Sequence, residues 1–343
     1  MIDRIPKGTP KRAIDRLREG AGSTKVGTPD DENEITGFLT IDDLLYVVKK
    51  QGIYHCKLAD EIDPERTNIG VPNTVQRILP YGSNDEWIGR TLLTGKELFN
   101  PSFLSPKIDC NRAMVLMLDI AKNVGAMKEE ARIFLECEKQ SIEALDPSIR
   151  EDRSFVLPSV HDVDRHCANF LQKADHTLRN LQHIVRLFYG DNAKKGWPEA
   201  FAKFIEDHDE REDDFLKFLR EITPFMHVIR NARNCVEHPQ KNQLLKTEDF
   251  SINAKQELTP PMMEIVHPKT PQEPVPILAF MGSVSDSVVL VVEDMVSFLC
   301  GRFVSEFSGF PIVLCSFSQE MRKEQYVQYG YGTDIGSGIT RIG

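Results

Sequence analysis

"PKIDCNRAMVLMLDIAKNVGAMKEEARIFLECEKQSIEALDP" (residues 106–147) is the stretch on which the reading of the chain turns. Apolar side chains recur at Met114, Met117 and Leu118, Ala121, Val124, Met127, Ala131, Phe134 and Leu135, and Ile142. Steps of three and four residues gather these on one side of an α-helix. At ~3.6 residues per turn the stretch holds about ten turns. Gly125 is the one weak point inside it and Pro147 its stop.

The same periodicity returns downstream. Residues 159–189 carry a buried stripe of Phe170, Ala174, Leu178, Leu181, Val185 and Phe188, and Gly190 suits a C-terminal cap. A short helix is expected over 198–207, starting at Pro198, and another over 209–222 with Phe215, Phe218, Leu219 and Ile222 inward. Thr223 and Pro224 read as an N-cap followed by proline at the first helical position, so a fresh helix is expected from there to Pro239. Residues 283–306 return to helix, with Val288, Val291, Val292, Met295, Phe298, Leu299 and Phe303 on a core face. Between these, 240–282 is proline-rich and has period-two patches such as "MMEIVH" (262–267), the pattern of a β-hairpin or extended insertion.

Upstream the pattern is mixed. "ITGFLTIDDLLYVVKKQGIYHCKL" (35–58) has β-branched and aromatic runs that suit short strands or a strand–helix pair. The expected organisation is a flexible polar N-terminus (1–35), a small α/β region (36–105), a helical domain (106–307) with its insertion, and a short strand with a loose glycine-rich tail (308–343). The expected fold class is mainly α: an antiparallel helical bundle with a β-hairpin or extended insertion and a small mixed α/β N-terminal region.

The net charge is −10, which disfavours bulk coating of nucleic acid but leaves room for a locally basic groove. The basic residues near the N-terminus (Arg4, Lys7, Lys11, Arg12, Arg16 and Arg18) read as a solvated tail or as RNA contacts. Seven cysteines, odd in number and with no CxxC pair, indicate reduced thiols rather than a disulfide frame or a zinc site. The most apolar segment, "SVVLVVEDMVSFLCGRF" (287–303), is broken by Glu293, Asp294 and Arg302, so no membrane span is expected. With no apolar leader at the N-terminus, the expectation is a soluble cytoplasmic protein.

Polar chemistry concentrates in "RNARNCVEHP" (230–239). On a helix, Asn234 and His238 stack four residues apart, as do Arg233 and Glu237. Pro239 disfavours helical geometry at His238 and frees its imidazole to lean across the helix end. A guanidinium suits phosphate oxygens, and an imidazole gives or takes a proton near neutrality. That set serves metal-free RNA cleavage, in which the ribose 2′-OH attacks and a fixed cation steadies the phosphorane. A symmetric dimer would bring two histidines and two arginines together.

Arg233-Asn234-Cys235-Val236-Glu237-His238 resembles the Rx4–6H signature of the HEPN superfamily, over about residues 106–307. The resemblance implies a metal-independent endoribonuclease acting as a homodimer with a composite site. In that role Arg233 clamps the transition state, Asn234 orients and His238 is the general acid/base. It implies no cofactor and no metal. RNA is the implied substrate, the implied setting is stress or phage defence, as for a toxin, and an antitoxin or regulatory partner is a further implied companion. The alternative is a non-catalytic HEPN-like module for dimerisation, RNA sensing or regulation. The candidate substrate-binding residues are Arg230, Glu237, His176, Arg179, His183 and Arg186. The last four share a polar helix face with Asn180, which reads either as solvated or as a basic wall beside the motif.

Three other motifs are weaker. "HDVDRH" (161–166) contains a His-Asp pair, but lacks the further ligands of a metal hydrolase; His161 and Asp162 read as a cap for the following helix. "EDHDEREDD" (206–214) reads as a solvated acidic turn before a helix start. "GTDIGSG" (332–338) is glycine-rich, but no strand–helix context is expected around it in the tail.

Overall fold

A computed structural model describes residues 10–20, 25–27, 34–146, 148, 150–194, 196–208, 214–305, 311–334 and 338–342. Arg4 and Lys7, the stop at Pro147, most of the acidic run and parts of the 20–34 linker lie outside the described residues. The contacts form two compact units, residues 1–88 and 89–343.

The first unit holds α1 (Ala13–Gly20) and an antiparallel sheet of β1 (Ile35–Ile41), β2 (Leu44–Lys49), β3 (Gly52–Lys57) and β4 (Thr74–Leu79), in that order. Asp42 and Asp43 both have positive φ (53° and 61°), making the two-residue turn whose twist matches a hairpin. That turn pairs Ile41 with Leu44 and fixes the register behind it. Leu39, Ile41, Val47 and Ile53 are buried on the sheet. Two short helices, α2 (Ala59–Ile62) and α3 (Glu86–Ile88), also lie among its described residues. Arg18 of α1 reaches Asp60 and Asp63, tying α1 to the β3–β4 connection.

The second unit opens with a π-helical turn at Gly89–Leu93 and α4 (Thr94–Leu98). Five longer helices follow: α5 (Cys110–Glu143), α6 (Val163–Tyr189), α7 (Glu199–His208), α8 (Asp214–Glu237) and α9 (Ile277–Arg302). α6 packs on α5, α8 and α9, and α7 packs on α8. The core at their centre includes Val124, Met127, Phe134, Phe170, Leu181, Val185, Ile229, Val288 and Met295, all buried. Gly190 closes α6, its N–H bonded to the Arg186 carbonyl.

Strands interrupt and follow these helices. β5 (Leu244–Glu248), β8 (Met262–Val266) and β9 (Gln272–Pro276) form one antiparallel sheet. β6 (Ser251–Ile252) and β7 (Leu258–Thr259) form a small ladder between them. After α9, β10 (Ile312–Ser316), β11 (Tyr329–Asp334) and β12 (Ile339–Arg341) make a third sheet in this unit.

This corrects the expectation of a mainly helical bundle. The chain is about 50% helix and 20% strand with four sheets among the described residues, a mixed α/β fold. The strands at both ends have three to seven residues each, and β1 and β11 contain glycine, so their period-two signal was weaker than that of the long helices. "GTDIGSG" is corrected with them: Gly332 and Thr333 lie in β11, and residues 335–337 lie outside the described part. A Cβ at Gly332 would fall 2.6 Å from Ile339, so glycine there permits the β11–β12 approach.

Thr223 and Pro224 do not start a helix. α8 runs through them, and the Thr223 hydroxyl donates to the Leu219 carbonyl at 2.7 Å instead of capping. Proline inside a helix costs roughly 3 kcal/mol. Phe215, Leu219 and Ile222 on one side of it and Met226, Ile229, Ala232 and Cys235 on the other are buried, and that burial outweighs the lost hydrogen bond. The expected cap at His161 and Asp162 is also absent: Asp162 has left-handed geometry, and its side chain makes no capping bond.

Candidate functional site

Ile229, Ala232 and Cys235 face the core in the last turns of α8. Helical spacing therefore turns Arg230, Arg233, Asn234 and Glu237 toward its flanks. α8 ends at Glu237, and the His238 N–H still bonds the Asn234 carbonyl at 2.8 Å. The His238 side chain is 73% exposed.

Glu237 stands at the centre of this helix end. Its Oε2 is in an ion pair with Arg233 Nη2 and lies 4.0 Å from His238 Nε2. Arg233 Nη1 also donates to Asn234 Oδ1 at 3.2 Å. On its other side Arg233 Nε is 3.8 Å from Oδ2 of Asp175, a buried carboxyl on α6. Arg179, one turn along α6, reaches the same oxygen at 2.7 Å. Asp175 is thus shared by two guanidiniums from two helices. Burial pushes its pKa up, against the pull of Arg179, Arg233 and His176.

Between α6, α8 and the segment before α7 lies a cleft of about 510 Å³. Arg179, His183, Lys194, Arg230 and Asn234 line it around Asp175, and Leu178, Trp197 and Met226 supply apolar wall. Arg230 donates to the Trp197 carbonyl at 2.7 Å, which braces α8 against that segment. The His183 pKa is lowered by burial and by the charges of Arg186 and Arg112.

Four of the residues picked from sequence, Arg179, His183, Arg230 and Asn234, therefore meet in one cleft. Arg233 and Glu237 form the adjoining ion pair, joined to the cleft through Asn234 and Asp175. His238 projects beside them into solvent. His176 acts on Asp175 by its charge, and Arg186 pairs with Asp191 at 3.6 Å; neither lines the cleft. Asp175, Lys194 and Trp197 were missed. Only Asp175 had a signal: a carboxylate next to the apolar stripe and four residues before Arg179.

The His-Asp pair does not gather ligands. His161 Nε2 lies 3.2 Å from Asp162, and His166 instead contacts Glu130 of α5 at 2.5 Å. Among the described residues no group of three His, Cys, Asp or Glu side chains is placed to hold a metal ion. Among them, too, no helix is long and apolar enough to cross a membrane.

Chemically, the arrangement offers fixed positive charge from two helices, amide donors, and one exposed imidazole at the rim. That suits binding of a phosphodiester, with a proton-transfer group at hand. Comparison with protein-family models, with curated proteins and with solved structures gives no match.

Proposed function

We propose that this chain is a cytoplasmic, metal-independent endoribonuclease of the HEPN type. The observation that carries this reading is the place of Asn234. It lines a cleft with Arg179, Arg230 and Lys194 while accepting from Arg233, so the RNxxxH motif and a cationic groove are continuous. RNA phosphates lie along the cleft. Arg233 exchanges Glu237 for a phosphate oxygen and steadies the developing charge. His238 moves the proton of the 2′-OH or of the leaving 5′-oxygen, and a second copy of the chain supplies the other imidazole. A role in stress or phage defence, under an antitoxin-like partner, fits an activity that must be held back.

The test is incubation of the protein with mixed RNAs in EDTA, beside His238→Ala. EDTA-resistant cleavage that disappears in the variant is the expected result. Equal cleavage by both proteins, or by neither, overturns the reading.

One observation favours a non-catalytic RNA-sensing or dimerisation module: Arg233 is already engaged by Glu237 and Asp175. RNA binding without cleavage, weakened by Arg230→Ala, would select that second reading.

A further inference from the structure

The second unit has another cavity, of about 440 Å³, between the C-terminal turns of α9 and the β10–β11 hairpin. Its chemistry is unlike that of the α6–α8 cleft. Phe298, Ile312, Val313 and Leu314 give flat apolar walls, while Asp294 and Tyr329 form a polar end, and Arg302 adds a positive charge. Gly301 also lines it, where a larger residue would close it.

Asp294 is half-buried, and its Oδ1 accepts from the Tyr329 hydroxyl at 3.3 Å. Burial pushes the Asp294 pKa up and the Tyr329 pKa to about 12. The neighbouring Glu293 is satisfied separately, by Arg90 at 2.6 Å. The polar end therefore presents mainly acceptors, in a setting where an ionised carboxyl gains strongly from added N–H donors. Arg302 is held in place by the Tyr189 hydroxyl at 3.0 Å and by the Phe215 ring 5.0 Å away.

We infer that this pocket binds a purine nucleotide with a donor edge, of the guanine class. Adjacent N–H donors on the base meet the Asp294 carboxylate, the ring lies against Phe298 and Leu314, and the phosphate faces Arg302. A carboxylate accepts two N–H donors side by side, as guanine offers them; uracil sets carbonyl acceptors on both sides of its single N–H and is repelled. The aromatic wall adds stacking that any base shares. The inference does not rest on the nuclease reading, since none of these residues belongs to the α6–α8 cleft.

Titration calorimetry of the full chain with guanosine and uridine monophosphates tests it. Guanosine monophosphate binds and uridine monophosphate does not. Asp294→Asn weakens guanosine monophosphate by more than about tenfold, the size expected for a lost charged hydrogen bond. A second variant guards against misfolding. A Cβ at Gly301 meets Leu314 at an ordinary 3.5 Å, so the first carbon of a side chain is accommodated there, and Gly301→Leu, which adds bulk to the pocket wall, also abolishes binding while a melting curve checks that the chain still folds. Equal binding of the two nucleotides, binding unchanged in either variant, or no binding of guanosine monophosphate to the unaltered chain overturns the inference.

Discussion

The α6–α8 cleft and the α9–β10 pocket lie in the same unit, and each surrounds a carboxyl with different neighbours. In the cleft, Asp175 is enclosed but lies within reach of two arginines from two helices. In the pocket, Asp294 accepts from the Tyr329 hydroxyl and lies among apolar side chains, and burial raises its pKa as it does that of Asp175. A carboxyl between cations holds structure together; a carboxyl against apolar walls awaits a donor from outside. Substitution of the two carboxyls should therefore have different effects.

The largest effect belongs to the helix end. His238→Ala should lower RNA cleavage by about 100-fold or more, the usual weight of a general acid/base, without changing the thermal midpoint, since the side chain is exposed. A cleavage assay beside a melting curve checks both. Next is the shared carboxyl. Asp175→Ala removes the carboxyl that Arg179 and Arg233 share, though Glu237 still holds Arg233, and should cost about 1–3 kcal/mol in denaturant unfolding, less than a fully buried pair because Arg179 is half exposed and burial already disfavours the Asp175 charge. A loss near zero would mean that the two arginines are indifferent to it, and the contrast with Asp294 would fail.

Smaller is the effect of Arg230→Ala on RNA affinity. It should weaken binding several-fold and reduce the salt slope by about 1, because one phosphate contact is lost. Fluorescence anisotropy at several salt concentrations reads this. The smallest effect concerns Asp294 without ligand. Its folded pKa is raised above the unfolded value, so its contribution to stability is fully present below the unfolded pKa and is lost as pH rises through the folded pKa. Asp294→Asn should therefore raise the thermal midpoint at neutral pH, and the gain should shrink as pH falls toward about 4. A gain that grows on acidification would reverse the sign of the argument.

The sequence carried the helices better than the strands or the cleft. Phe170, Ala174, Leu178, Leu181, Val185 and Phe188 all turn out buried on α6, because a long stripe at helical spacing has few other solutions. The continuity of α8 was not legible. Thr223-Pro224 has the local chemistry of a helix start, and only burial on both sides of the proline overrides it. The β11 strand was hidden for a different reason: "YGYGTD" (329–334) lacks the β-branched run that marks a strand, and pairing with β10 and β12 supplies the order. At the site, helical spacing brought Arg179 together with His183 and Arg230 with Asn234. Lys194 and Trp197 join them through the turn between α6 and α7, a tertiary placement that no local pattern encodes.

Pro224 has a mechanical consequence for the helix end. It removes one rung of the α8 hydrogen-bond ladder, and the hydroxyl of Thr223 occupies the carbonyl of Leu219 just before it. Bending of a helix concentrates where its ladder is interrupted. The segment carrying Arg230, Arg233, Asn234 and Glu237 lies beyond that missing rung, so its alignment with α6 depends on the burial of Met226, Ile229, Ala232 and Cys235 and on the Arg230 bond to the Trp197 carbonyl.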